Sequence, residues 1–237
     1  GFNGDIKHWD VSSVETFENM FSNAYGFDQN LSAWDVSNAK SLNSMFYLAT
    51  SFNGDISTWN TANVTDFSWM FYESDAFNGD ISDWNTSKAT TMKNMFRGSI
   101  FNNQIGSWDV SNVVSMEGMF SDAENFNQPI GDWNTANVIT MKQMFSNASA
   151  FNQSLDSWST SSVTDMSDMF RNATSFNQNL NSWDVSSVIN FYGTFAGADT
   201  FNGDISAWDV SSGSNFGGML YSAASFAGDV SAWDVSN

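Results

Sequence analysis

Phe2-Asn3-Gly4-Asp5-Ile6-Lys7-His8-Trp9-Asp10-Val11-Ser12 is the first copy of a motif that occurs ten times in the 237-residue chain. The copies begin at Phe2, Phe27, Phe52, Phe77, Phe101, Phe126, Phe151, Phe176, Phe201 and Phe226. Their spacing is 25 residues, except for the interval of 24 that ends at Phe101. A fixed period of this length is typical of units that stack, because one unit cannot bury its apolar face alone. We therefore predict a single continuous solenoid over residues 1–237, with nine full repeats and a partial tenth.

The first half of each repeat has the pattern of a short strand. We number the residues of a repeat from its Phe as position 1. Position 5 is aliphatic, position 8 is Trp and position 10 is Val or Thr, as in Ile6, Trp9 and Val11. The alternation of large apolar or β-branched residues with polar ones predicts a strand, which would pair in parallel with its copy in the next coil.

The second half of each repeat changes period. Positions 13, 16, 19, 20 and 23 are apolar or small, and in one repeat these are Val113, Met116, Met119, Phe120 and Ala123. Such spacing is typical of one face of a helix. The predicted fold class is therefore α/β: a right-handed solenoid with one short parallel strand and one short helix in each coil of about 25 residues.

The repeat that begins at Phe77 is one residue short, and the missing residue falls between Phe96 and Phe101. We expect a local irregularity in the turn over residues 97–100. Trp108 still matches its position in the motif, so we expect the next coil to stay in register.

The consensus M-F-x-x-A-x-x-F-N-x-x-I-S-x-W-D-V-S-x-V-x-x-M resembles the repeat of roughly 25 to 26 residues found in bacterial and mycoplasma surface proteins. That family is related to BspA-like leucine-rich repeats. The resemblance covers the whole chain. It implies a leucine-rich-repeat-like solenoid on a cell-surface or secreted protein, often with a role in adhesion, and it supplies no catalytic residues.

The charge of the chain restricts its partners. There are 26 acidic and 7 basic residues, for a net charge of −19, and there is no cysteine. Nucleic acid and anionic membrane surfaces would repel such a chain. No stretch reaches the ~20 apolar residues of a membrane helix, so we predict no membrane insertion. Since the chain begins and ends inside a repeat, we expect a fragment or a processed product, and its open ends predict end-to-end self-association.

Three positions form polar columns once the coils stack. Position 2 is mostly Asn and predicts an internal ladder of hydrogen bonds between coils. Position 9 would lie on the outer face of the sheet, where a cationic or cation-bridged ligand could bind, and its acidic members are Asp10, Asp35, Asp109, Asp184, Asp209 and Asp234. Position 4 is either a tight turn or a weak calcium site, and its acidic members are Asp5, Asp55, Asp80, Asp204 and Asp229.

Trp69 is the one tryptophan outside the motif, and it precedes Tyr72 on the predicted outer helix face. These two aromatic residues are a second candidate contact surface. No catalytic motif is present, so we predict a non-enzyme without a cofactor, except that calcium could bind. The predicted function is protein binding or adhesion at the cell surface or after secretion. The alternatives are a structural stalk or filament segment and, with less support, binding of ice or mineral by the regular polar face.

Overall fold

The computed structural model describes residues 2–236. Within this range there is no α-helix and no strand longer than one residue. Isolated parallel bridges join position 15 of each coil to position 15 of the next. The bridged residues are Thr16, Ser41, Asp66, Thr91, Ser115, Thr140, Asp165, Asn190 and Asn215. The coils do stack, but the prediction of an α/β leucine-rich-repeat-like solenoid, with a strand and a helix in each coil, is wrong.

The predicted helix fails because two residues in each coil have a left-handed backbone. Positions 18 and 22 have φ between 46° and 68° in the first nine coils. The residues at position 18 are Asn19, Ser44, Trp69, Asn94, Gly118, Gln143, Asp168, Gly193 and Gly218, and those at position 22 are Asn23, Leu48, Glu73, Gly98, Asp122, Asn147, Asn172, Gly197 and Ser222. A right-handed helix needs φ near −60° at every residue, so two left-handed residues in eleven end it.

The backbone hydrogen bonds of this segment run between coils. The N–H groups of positions 16, 18, 20 and 22 donate to carbonyls of the next coil at 2.7–3.2 Å. Gly118 N–H, for example, donates to Lys142 O at 2.8 Å, and Phe120 N–H donates to Met144 O at 2.9 Å. The intervening positions bond within their own coil, as Ser121 N–H does to Gly118 O at 3.0 Å. The segment is thus a row of turns cross-linked to its neighbours, and it buries the same apolar residues that a helix would bury.

The predicted strand is also made of turns. Trp108 N–H donates to Ile105 O at 3.1 Å, and Val113 N–H donates to Val110 O at 2.9 Å, both three residues back in the same coil. Within residues 2–236, no bridge links the Trp-x-Val segments of neighbouring coils. The period-2 pattern was misleading, because turns of three residues also bring positions 5, 8 and 10 to the interior.

The core consists of stacked aromatic columns. Phe rings at position 1 lie 5.8–6.1 Å apart in the runs from Phe2 to Phe101 and from Phe126 to Phe226. The Phe at position 20 packs against the next of these rings at 3.8–4.2 Å. The repeated tryptophans from Trp34 to Trp208 are 2–3% exposed, and the Nε1–H of each repeated tryptophan from Trp34 to Trp233 donates to the position-5 carbonyl of the preceding coil. The repeated tryptophans from Trp34 to Trp208 therefore belong to the core, and these bonds fix the alignment of neighbouring coils.

The Asn ladder at position 2 is also confirmed. Its side-chain oxygen accepts the N–H of position 2 in the following coil at 2.8–3.1 Å. Asp28 takes the same role between Asn3 and Asn53. Most of these side chains are exposed, however, so the ladder lies at the surface rather than inside.

The short repeat behaves as predicted. In the other coils the Phe at position 1 donates its N–H to the carbonyl at position 23 of the preceding coil, as Phe126 does to Ala123 at 3.1 Å. Phe101 instead donates to the hydroxyl oxygen of Ser99 at 3.4 Å. The change is confined to this turn, because Trp108 still stacks on Trp84 with ring centroids 6.4 Å apart.

Candidate functional site

The acidic residues at position 9 lie exposed along one side of the stack and close turns in their own coils. Asp184 Oδ1 accepts the backbone N–H of Ser186 at 3.0 Å and its hydroxyl at 2.6 Å. These bonds favour the ionised form and hold the pKa of Asp184 below its usual value. The other acidic members of this column, Asp10, Asp35, Asp109, Asp209 and Asp234, have lowered pKa values for the same reason. Position 9 was predicted to lie on the outer face of a sheet. The structure has no sheet there within residues 2–236, and the aspartates of this column instead lie on a row of turns.

Coils with Asp at position 9 have Val at position 10, whereas coils with Asn or Ser at position 9 have Thr there, and the structure explains the role of the Thr. The Thr135 hydroxyl is buried and donates to Ser159 O in the next coil at 2.8 Å. Thr61, Thr86 and Thr160 make the equivalent bond. A Val at this position cannot make it and only fills the space. Nothing in the structure explains why Asn or Ser precedes each of these threonines.

The aspartates at position 4 are also turn residues. Asp80 Oδ1 accepts the N–H of Ser82 at 3.0 Å and its hydroxyl at 2.7 Å. Asp5, Asp55, Asp204 and Asp229 accept the N–H two residues ahead in the same way. Within residues 2–236 no three acidic or histidine side chains form a group that could hold a metal ion. Calcium binding stays a prediction, and the geometry gives it two-carboxylate sites at most.

Trp69 and Tyr72 lie next to each other, as predicted, but on a left-handed turn rather than a helix. Their ring centroids are 5.2 Å apart. Tyr47 stacks on Tyr72 at 4.7 Å with ring planes 5° apart, and the Arg97 guanidinium lies 6.0 Å from the Tyr72 centroid. Arg97 is also paired with Asp122 at 3.2 Å. Sequence reasoning missed Tyr47 and Arg97, although both share position 21 with Tyr72 and alignment of the repeats would have shown it.

We call positions 17, 18 and 21 of the nine full coils the lateral face. Besides Trp69, it carries both arginines and four of the five tyrosines of the chain: Arg97, Arg171, Tyr47, Tyr72, Tyr192 and Tyr221. It holds four of the seven cationic residues of the chain, which are Lys93, Arg97, Lys142 and Arg171. It holds only three of the 26 acidic residues, which are Glu18, Glu117 and Asp168. This face is thus nearly neutral on a strongly acidic protein.

Comparison with known families identifies the repeat. The model of a family described as "Mycoplasma protein of unknown function, DUF285" matches residues 1–100, 80–162 and 153–237. The chain belongs to this family. Neither a curated protein nor a solved structure matches the chain. Membership of DUF285 supports the resemblance to mycoplasma repeat proteins, whereas the relationship to BspA-like leucine-rich repeats stays a prediction. Residues 2–236 of this DUF285 protein include no helix long and apolar enough to cross a membrane.

Proposed function

We propose that this DUF285 chain is a non-catalytic binding module of a cell-surface or secreted protein. The observation that carries the proposal is the lateral face, where the regular repeat is interrupted by Trp69, the tyrosines and both arginines. By contrast, the Phe, Trp and Asn columns repeat one residue type, with few exceptions, that packs the core or bonds neighbouring coils. Trp, Tyr and Arg are the residues that contribute most to protein interfaces, so their concentration on one face favours binding there.

The aromatic side chains around Trp69 pack closely together on the lateral face. Trp69, Tyr72 and Tyr47 are half-buried against each other and form a compact aromatic ridge. The rings are already in contact, so a partner would pack on their exposed edges without reordering them. Preorganised aromatic side chains lose little conformational entropy on binding, which favours affinity.

The exposed aspartates at position 9 are the rival surface. Their carboxylates remain ionised at neutral pH, and a neutral apolar partner would have to desolvate them without compensation. A ligand of this column would therefore be cationic or cation-bridged, and its association would weaken as salt rises.

Binding of the fluorescently labelled chain to cultured epithelial cells, measured by flow cytometry at low and high salt, tests the proposal. We expect saturable binding that survives high salt and is lost in Trp69→Ala with Tyr72→Ala. The matched comparison is Asp184→Asn with Asp209→Asn, which should bind like the wild type. Loss of binding in the aspartate pair and at high salt would place the site at position 9 instead. No saturable binding under either condition would remove the binding function.

Regular stacking favours a second candidate function, a structural stalk or filament segment. Ring distances in the Phe column stay within 5.8–6.1 Å from Phe2 to Phe101 and from Phe126 to Phe226, so the coils within each of these two runs add nearly the same rise. A stalk would give head-to-tail oligomers, which analytical ultracentrifugation would detect as a concentration-dependent increase in mass. A monomer at all concentrations would count against self-association.

A further inference from the structure

A hollow of about 350 Å³ opens in the lateral face toward the C-terminal end of the chain. Its base is made of glycine and alanine, and Tyr192, Tyr221 and Arg171 stand around it. The base residues are Gly193, Ala196, Gly217 and Gly218. Other coils carry larger side chains at these positions, such as Lys93 at position 17 or Tyr72 at position 21. The hollow therefore exists only where small residues coincide in two successive coils.

Arg171 lies beside the hollow and is paired with Asp168. Its Nη1 donates to Asp168 Oδ1 at 3.2 Å, and the Asp168 side chain is only 14% exposed. Gly193 permits this arrangement, because its φ is +61° and a Cβ there would collide with Asp168 Oδ1. The guanidinium has five N–H donors in a rigid plane, so one ion pair leaves donors for a ligand.

Tyr192 supplies an aromatic surface that no other ring covers among the described residues. Tyr47 and Tyr72 stack on each other, whereas Tyr192 is 44% exposed. The Tyr192 ring passes close to Gly217, where a Cβ would lie 3.0 Å from the ring atom Cδ2. The absence of a side chain at Gly217 therefore leaves room beside the ring.

We propose that this hollow binds one pyranose ring of a neutral glycan, an inference that rests on the proposed binding function. A pyranose has C–H faces that pack on an aromatic ring, and its rim of hydroxyls both donates and accepts hydrogen bonds. The rings of Tyr192 and Tyr221 can pack on the C–H faces of the sugar. Arg171, Asp168 and the tyrosine hydroxyls can form hydrogen bonds with its hydroxyl groups. A volume of about 350 Å³ is at the lower end of small-molecule sites and admits a single ring.

Charge favours a neutral ligand over the alternatives. A lysine or arginine side chain inserted by a protein partner would meet the Arg171 guanidinium. An anionic group would meet Asp168 and the field of a chain with net charge −19. A neutral sugar is repelled by neither.

Saturation-transfer NMR of the full chain with methyl glucoside, methyl galactoside and methyl mannoside tests the assignment. We expect transfer to at least one of them. Ala196→Tyr should abolish it, because Tyr at position 21 is native in other coils and would fill the hollow without disturbing the stack. Tyr192→Ala should weaken binding at least about tenfold. Tyr72→Ala, at the other end of the lateral face, is the matched control and should bind like the wild type.

A similar loss of saturation transfer in Ala196→Tyr, Tyr192→Ala and Tyr72→Ala would overturn the sugar assignment. The absence of transfer from the wild type to any of the three glycosides would do the same. So would binding of a lysine-rich peptide that Ala196→Tyr blocks. The test also separates this inference from the function it rests on. If cell binding survives both periodate treatment of the cell glycans and Ala196→Tyr, yet fails in Trp69→Ala, the chain is a binding module and the hollow is not its sugar site.

Discussion

Truncation of Trp108 to alanine measures how much one repeated tryptophan contributes to the stack. The side chain is 3% exposed and lies between Trp84, 6.4 Å away, and Phe96, 6.2 Å away. Its Nε1–H donates to Ile81 O in the preceding coil at 3.1 Å. The substitution therefore removes both core packing and a bond between coils.

The packing loss is the larger effect. Truncating a large buried aromatic residue costs about 3–5 kcal/mol, because the cavity left behind collapses only partly. The hydrogen bond contributes about 1 kcal/mol of that, and no more, because Ile81 O also accepts the backbone N–H of Trp84 at 3.2 Å and keeps a partner. Trp108→Phe keeps most of the ring and should cost about 1–2 kcal/mol.

Urea unfolding followed by circular dichroism and by tryptophan fluorescence measures these free energies. Coincidence of the two transitions must be checked first, because repeat arrays can unfold in parts. The matched control is Trp9→Ala, at the same repeat position, where the side chain is 53% exposed and stacks on Trp34 alone at 6.5 Å. Its cost should stay below about 1 kcal/mol.

The reasoning fails if Trp108→Ala costs less than about 1 kcal/mol or no more than Trp9→Ala. Either result would mean that the tryptophan column does not carry the stability of the array. Stability would then rest on the Phe columns and on the backbone bonds between coils.

Four further measurements test the turns and the calcium alternative. Gly118→Ala should cost more than about 1 kcal/mol in the same urea assay, because φ is +60° and the new Cβ would strike Asn94 Oδ1, whereas Gly26→Ala, with nothing within 4 Å, should be nearly neutral. Asp184→Asn should melt slightly below the wild-type temperature at pH 7 and Asp184→Ala further below it, since asparagines close the same turn in other coils but lack the ionised carboxylate. Because the folded pKa values of these aspartates lie below the unfolded ones, melting temperature should fall as pH drops below about 4 in the wild type, and less in Asp184→Asn. Calorimetry with calcium, and melting with and without chelator, test the calcium alternative: saturable heat with a raised melting temperature would support it, and no heat with no shift would reject it.

The candidate site was only partly predictable. Trp69 was visible as an outlier because the other tryptophans keep strict register. The association of Arg171 with Tyr192 and Tyr221 was not visible, since the three residues lie in three successive coils and Tyr192 is at position 17 whereas the other two are at position 21. Which side chains meet across coils depends on the backbone path between positions 17 and 21, and a helix would have spread them differently.

The sequence alone determined the period, the stacking and the core, because only apolar columns repeated every 25 residues can bury themselves by adding coils. It also contained a signal against a helix, since Asn, Asp and Gly, which tolerate a left-handed backbone, are frequent at positions 18 and 22. Leu48 and Trp69 adopt that backbone without any such preference. There the tertiary structure decides: the N–H of each donates to the next coil at 2.8 Å, a bond that exists only once the coils are stacked and that offsets the local strain.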